Sequence, residues 1–369
     1  MDRYPKRDDL RALTGYHSPQ VEVKVRLNTN ESPVEPPREF IDAVAAAVRE
    51  VKWNRYPDRT ALELRKDIAH LHGVSAENVF VANGSNEVLQ SLLLAYSGTG
   101  RTVATFEPTY QLHSHIARIA GATVVSGRRN DDFTLDPQEV RRVCAQHSPN
   151  VTFLCSPNNP TGLADSHEVL QAAIESTPGI VLVDEAYAQF SPLTALDLVR
   201  EDARVAVSRT YSKTWAMAAA RIGYLIAPTW MVDDLEVVAL PYRLDALTQA
   251  AGRAALKYVS QMEQAVRGIV AERERLVLAL AQMPVTVWPS QSNFILFRPV
   301  AAGGGSGKAT VAGRAVWQAM LERGVLVRDC SSWQGLDDCL RVTVGTPSEN
   351  DAFLVALREA LQSSLAARD

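Results

Sequence analysis

No stretch of this chain comes near the ~20 consecutive apolar residues that cross a bilayer. A formal net charge of −4, with no basic tail or stripe, removes the electrostatic case for nucleic acid. Arg128-Arg129 and Arg141-Arg142 read as solvated helix and loop faces. The four cysteines, Cys144, Cys155, Cys330 and Cys339, form no Cys-x-x-Cys pair and have no paired histidines nearby. Neither a metal nor a disulfide is indicated, and the thiols suit a reducing cytoplasm. The segment Met1–Asp9 lacks the apolar core of a signal peptide. A Gly-x-x-x-x-Gly-Lys phosphate loop is missing, and no internal repeat is visible.

What is present is α/β grammar. A length of 369 residues suits two domains, one large and one smaller. Pro5, Gly15 and Pro19 interrupt any period in residues 1–30, which read as an irregular arm. A helical pattern covers Phe40–Val51. Strand candidates then alternate with helices at Val79–Ala82, Thr102–Phe106, Val151–Leu154, Ile180–Asp184, Arg204–Ser208 and Ile222–Ala227. Several are continuous apolar runs, as expected of a mostly parallel sheet covered on both faces. After Pro241 the character changes: one long helix is expected over Thr248–Met283. A smaller α+β unit follows, with strands at 285–289, 293–298 and 339–344 and helices near 309–323 and 349–366. Residues 301–307 are a Gly-rich linker. The expected division is an arm over 1–38, a large domain over 39–247 and a small domain over 248–369.

Lys213 carries the chemistry. Thr210 lies three residues before it, Ser212 immediately before it and Arg221 eight after it, so two hydroxyls and a guanidinium can cradle one phosphate. A lone Ser-Lys is commonly a solvated pair, but this one lies between two strands, where α/β proteins place ligands. A reactive amine in an anion cradle suits pyridoxal 5′-phosphate (PLP), held as a Schiff base. Gly84, Ser85 and Asn86 follow a strand and open a helix, which supplies anion-seeking N–H groups or an ordinary capped turn. Asn159 lies in a Pro/Asn/Gly cluster at another strand end, where it could bond a phenolic oxygen of a cofactor or belong to a plain turn. Asp184 ends an apolar strand, where a carboxylate is costly without a cation; a pyridinium N–H would serve, as would a cap or a magnesium ion. Tyr187 could reach the ring oxygen, and Tyr110 is a stacking platform or a core tyrosine. Arg341, inside an apolar strand, calls for an anion partner.

In the order and spacing of Ser156–Gly162, Asp184–Tyr187, Thr210–Lys213 with Arg221, and Arg341, the chain resembles the fold-type I, PLP-dependent class I/II aminotransferases. Within that class it most resembles the histidinol-phosphate aminotransferases, through Arg26–Pro33, Trp53–Asp58, Val81–Glu87, Leu240–Leu244, Gly324–Asp329 and Leu340–Gly345. The resemblance implies that Lys213 binds PLP and shuttles protons, and that Asp184 holds the ring nitrogen. Asn159 and Tyr187 would bind the ring oxygen, with Tyr110 stacked on the ring. Gly84, Ser85, Asn86, Thr210, Ser212 and Arg221 would hold the phosphate, joined by Tyr56 from the partner subunit of a homodimer. Tyr16, Tyr56, Asn159, Arg328 and Arg341 would receive the substrate.

The implied reaction is ping-pong transamination of a phosphorylated amino alcohol, L-histidinol phosphate, with 2-oxoglutarate, passing through pyridoxamine phosphate. Ala218-Ala219-Ala220 before Arg221, Asn86 where Asp is frequent, and the 301–307 loop depart from the family pattern. Aromatic amino-acid aminotransferases and threonine-phosphate decarboxylases share the scaffold, and no single residue separates them from the first reading. A non-catalytic PLP-binding regulator would need a basic helix-turn-helix segment, which the chain does not show.

Overall fold

The computed structural model describes residues 4–11, 13–15, 21–300 and 312–366. Strands, in chain order, are β1 Val25–Leu27, β2 Val79–Asn83, β3 Thr102–Glu107, β4 Thr123–Arg128, β5 Val151–Cys155 and β6 Ile180–Asp184. They continue as β7 Val205–Thr210, β8 Ile222–Ile226, β9 Val285–Val287, β10 Phe294–Pro299, β11 Val325–Asp329 and β12 Leu340–Thr343. The helices are α1 Arg38–Arg49, α2 Leu62–His72, α3 Ser85–Tyr96, α4 Gln111–Ile119, α5 Pro137–His147 and α6 His167–Ser176. After them come α7 Thr229–Val238, α8 Ala246–Ala255, α9 Val259–Leu280, α10 Gly313–Glu322 and α11 Pro347–Ala366.

A large sheet has the order β2-β8-β7-β6-β5-β3-β4, in which β8 alone runs against the others. Its central strands are buried end to end because the period of two sends alternate residues into separate helical layers. Phe153, Leu182 and Ala206 join one apolar cluster with residues of α3, α4 and α7. Leu154, Val183 and Val207 join another with α5 and α6. A second sheet, β1-β11-β12-β10-β9, rests on α9, α10 and α11 through Phe294, Phe297, Val316 and Phe353.

Three strands escaped the sequence reading. The arm is not irregular throughout: Val25–Leu27 pairs in parallel with Val325–Val327 as the edge of the small sheet. Thr123–Arg128 is the other unread edge, largely unburied and so without a strong apolar signal. The third is β11 itself. The single long helix expected over Thr248–Met283 is broken by a turn of 3-10 helix at Leu256–Tyr258. One straight helix could not serve both cores. Ala251, Ala254 and Ala255 pack with Phe40 and Leu64 beside the large sheet, whereas Val266, Ile269 and Leu276 pack against the small one. The Tyr258 ring meets Phe40 edge-on at 6.0 Å where the direction changes. The expected boundary after residue 247 lies inside α8, and Leu256, Tyr258 and Val259 still pack beside the large sheet. Arg129 is likewise not solvated: it forms a buried pair with Asp165, at 2.7 and 3.1 Å.

Two glycines fix how closely the strand edge meets α3. Gly84, at φ +78°, caps the helix where a Cβ would collide with the Arg221 guanidinium. Gly223 in β8 leaves room for the backbone of Gly84 and Ser85, which a Cβ would strike. Gly223→Ala is therefore expected to destabilise the protein by about 1–3 kcal/mol in urea unfolding, through a displaced α3 N-terminus. An unchanged midpoint would show that this approach is not tight.

Candidate active site

Because six strands of the large sheet run one way and β8 runs back, one edge gathers the ends of β2, β3, β5, β6 and β7 and the start of β8. A cavity of about 320 Å³ lies there, closed from the other side by the segment after β1 and by β11 and β12. Gly84 and Tyr56 apart, every described residue expected at the site lines this cavity.

At one end Ser85 and Asn86 begin α3 and offer first-turn N–H groups. Facing them, Arg221 Nη1 reaches Ser212 Oγ at 3.3 Å, and Thr210 Oγ1 lies 3.1 Å from the same oxygen. Arg221 is held in left-handed backbone (φ +53°) between the Ala218–Ala220 turn and β8. Hydroxyls, helix N–H groups and a guanidinium around a space that a Cβ at Gly84 would invade make a pocket for a phosphate group.

Asp184 ends β6 nearly without solvent contact. Its carboxylate accepts from Ser208 Oγ at 3.1 Å and Ala186 N–H at 3.3 Å. The remaining oxygen lies 2.9 Å from His113 Nε2, which faces an acceptor-only group and donates. His113 is buried on α4, stacked on Phe153 at 4.5 Å, with Tyr110 edge-on at 5.3 Å. His113 was not expected. Its signal was its place three residues after Tyr110, on the same face of α4. His113, Cys155 and Asp184 also bring three potential metal ligands within 4.8 Å of one another. Burial, with Asp184 second, pushes the Cys155 thiol up.

Lys213 Nζ donates to Thr29 O at 3.0 Å. Burial pushes its ammonium down to about 8; Arg341 and Arg221 act in the same direction, and Glu31 opposes them. Beyond it, Tyr187 is buried with its hydroxyl 3.4 Å from Asn159 Nδ2. Arg341 donates to Asn159 Oδ1 at 2.5 Å and to Asn28 O at 2.9 Å, and its Nε has no partner among the described residues. The β11–β12 register sets Arg328 directly opposite Arg341. Trp333 lies beside Arg328, 5.6 Å from its guanidinium. Two guanidinium groups side by side repel unless an anion joins them.

One expected residue is not brought in: Tyr56 is 80 % exposed and stacks on Tyr242 at 4.5 Å. Tyr16 and the 301–307 loop lie outside the described residues.

A phosphate pocket, an unsatisfied guanidinium N–H, a buried carboxylate and a partly neutral lysine in one cavity match the requirements of a flat phosphorylated aldehyde. The sequence model of the family described as aminotransferase class I and II matches residues 22–357. The chain belongs to this family. A histidinol-phosphate aminotransferase from Frankia casuarinae is 44% identical to it, covering 100% of this chain and 93% of the relative. One from Thermobifida fusca is 44% identical over 98% of this chain and 96% of its own. In fold, this aminotransferase also resembles the solved structure of the Sinorhizobium meliloti histidinol-phosphate aminotransferase in complex with pyridoxal-5′-phosphate. The TM-score is 0.83 at 22% identity, over 93% of this chain and 92% of that one.

The lowered Lys213 value has a consequence for stability. Between about 8 and the ordinary lysine value near 10.5, the unfolded chain binds a proton that the folded chain does not. Stability of the cofactor-free protein should therefore rise with pH across that window, while the full penalty applies below it. Lys213→Met is expected to gain on the order of 2 kcal/mol at pH 7 and to flatten the rise. Equal slopes in denaturant titrations of the two proteins would contradict the lowered value.

Proposed function

We propose that this aminotransferase uses PLP to transfer the amino group of L-histidinol phosphate to 2-oxoglutarate, giving imidazole acetol phosphate and L-glutamate in ping-pong order. The observation that carries the reading is the Arg328–Arg341 pair at the far end of a cavity whose near end is a phosphate pocket. Two adjacent guanidinium groups can bind a phosphate monoester in one half-reaction and a dicarboxylate in the other. The names of the 44% identical relatives support the phosphorylated amino alcohol.

When bound, PLP supplies an electron sink for the carbanion formed at the substrate Cα. The chain's own residues supply the rest. Ser85, Asn86, Thr210, Ser212 and Arg221 anchor the phosphate, and Gly84 keeps the space open. Asp184, held in place by His113 and Ser208, would pair with the pyridine nitrogen. Asn159 and Tyr187 would bind the ring oxygen, and Tyr110 would stack on the ring. Lys213 would hold the cofactor covalently and, as a neutral amine, would move a proton at the substrate Cα. An ammonium lowered to about 8 leaves an appreciable neutral fraction at neutral pH, which both tasks require. Arg341 and Arg328 orient the substrate by its anionic groups.

The proposal includes a cytoplasmic homodimer. Trp53, Tyr56, Val237 and Leu240 are each more than two-thirds exposed in the single chain, an apolar surface that a second copy would cover. In that arrangement Tyr56 reaches the partner's phosphate pocket.

Mixing the PLP form separately with L-histidinol phosphate, phenylalanine and threonine phosphate tests the substrate. Fast loss of the visible band is expected with histidinol phosphate. A response to phenylalanine alone, or carbon dioxide release from threonine phosphate, would overturn the assignment. Lys213→Ala should lower turnover by at least about a hundredfold and abolish borohydride trapping. Tyr56→Phe should weaken PLP affinity several-fold, and an unchanged affinity would remove Tyr56 from the site.

A further inference from the structure

Three consecutive residues of the arm reach three side chains of the site. Asn28 O accepts from Arg341, Thr29 O from Lys213, and Asn30 Nδ2 donates to the Tyr187 hydroxyl oxygen at 3.0 Å. In the last case every proton can be placed.

Asn30 is buried in left-handed backbone (φ +55°), a conformation asparagine tolerates better than most residues. Its N–H donates to Thr343 Oγ1 at 2.9 Å, and its carbonyl accepts from Asn293 Nδ2 at 3.1 Å. The Thr343 hydroxyl, already an acceptor, turns its single proton to Asn30 Oδ1, 3.1 Å away. With Oδ1 thus occupied, the Asn30 amide presents its NH2 to Tyr187. On the other side Arg341 can only donate, so it takes Asn159 Oδ1 and turns the Asn159 NH2 to the same phenol oxygen. The Tyr187 oxygen accepts from two amides, and neither can take its proton. Burial pushes this hydroxyl well above its ordinary range, although Arg341 and the Asn30 bond oppose the rise, so the proton stays on at neutral pH. Cys155 and Asp184 also face the group and raise it further.

We infer that Asn30 is a positioning residue that turns the Tyr187 hydroxyl proton into the cavity, which makes Tyr187 a fixed donor to the ring oxygen of the cofactor. The inference rests on the PLP reading given above. Thr343 and Asn293 tie Asn30 to the small sheet, so the orientation of a hydroxyl beside the large sheet is set from the other side of the cavity.

A hydrogen bond donated to the ring oxygen favours its anionic form. That bond lowers the pH at which the Lys213-bound cofactor changes colour. The test is a visible-absorbance titration of four PLP-loaded proteins: wild type, Asn30→Gly, Tyr187→Phe and the double variant. Glycine removes the amide without straining the left-handed backbone. Asn30→Gly should raise the midpoint by about 0.5–1 pH unit and Tyr187→Phe by at least as much. The double variant should match Tyr187→Phe alone, because Asn30 acts through the hydroxyl. A midpoint that ignores Asn30→Gly, or moves equally with and without the hydroxyl, overturns the inference and leaves the PLP reading intact. Should Asn30→Gly not fold, Thr343→Val must shift the midpoint in the same direction, and no shift there counts against the inference. A wild-type protein without any PLP-derived visible band would take down the cofactor reading and this inference together.

Discussion

A carboxylate buried at the centre of a seven-stranded sheet is the constraint around which this molecule is organised. Asp184 ends the middle strand, β6, with almost no access to water. An isolated charge there would be untenable, and the surroundings are built to accept it. Ser208 from the neighbouring strand, the N–H of Ala186 and His113 from α4 all donate to it. The partners on either side follow from the strand order: β5 carries Asn159 on its loop, and β7 ends in Thr210 and carries Ser212 and Lys213 just beyond. A cofactor ring that meets Asp184 is thereby brought within reach of the groups that would bind its oxygen, its aldehyde carbon and its phosphate.

The second sheet completes the cavity through a short piece of arm. β1 is only three residues long, yet its pairing with β11 delivers Asn28, Thr29 and Asn30 to the front of the site. Two carbonyl oxygens and one amide from this segment meet Arg341, Lys213 and Tyr187. Arg341 on β12 and the lysine after β7 are thus referred to one backbone stretch. Contacts of this kind fix relative position without filling the cavity, and the open space remains for ligand.

Much of this was legible in the sequence, and the parts that were not share a cause. The central strands announce themselves because Val151–Cys155, Ile180–Asp184 and Ile222–Ile226 are buried along their length and read as mainly apolar runs. The cradle around Lys213 is legible because its members lie within a dozen residues. In contrast, β1 is too short to show a period, and β4 is an edge with little to bury. The break between α8 and α9 is invisible locally because it arises from two separate cores competing for one apolar stripe. His113 and Asn30 gain their roles only from partners 71 and 157 residues away. Tyr56 marks the limit of a single chain, since its ring stands on the surface.

In the proposed function, Asp184 holds a protonated pyridine nitrogen. Nitrogen NMR of the protein loaded with isotope-labelled PLP reads that protonation directly. A pyridinium chemical shift is expected at neutral pH, persisting as the pH is raised well past the value for free PLP and lost in Asp184→Ala. A neutral pyridine shift in the wild-type protein would contradict it.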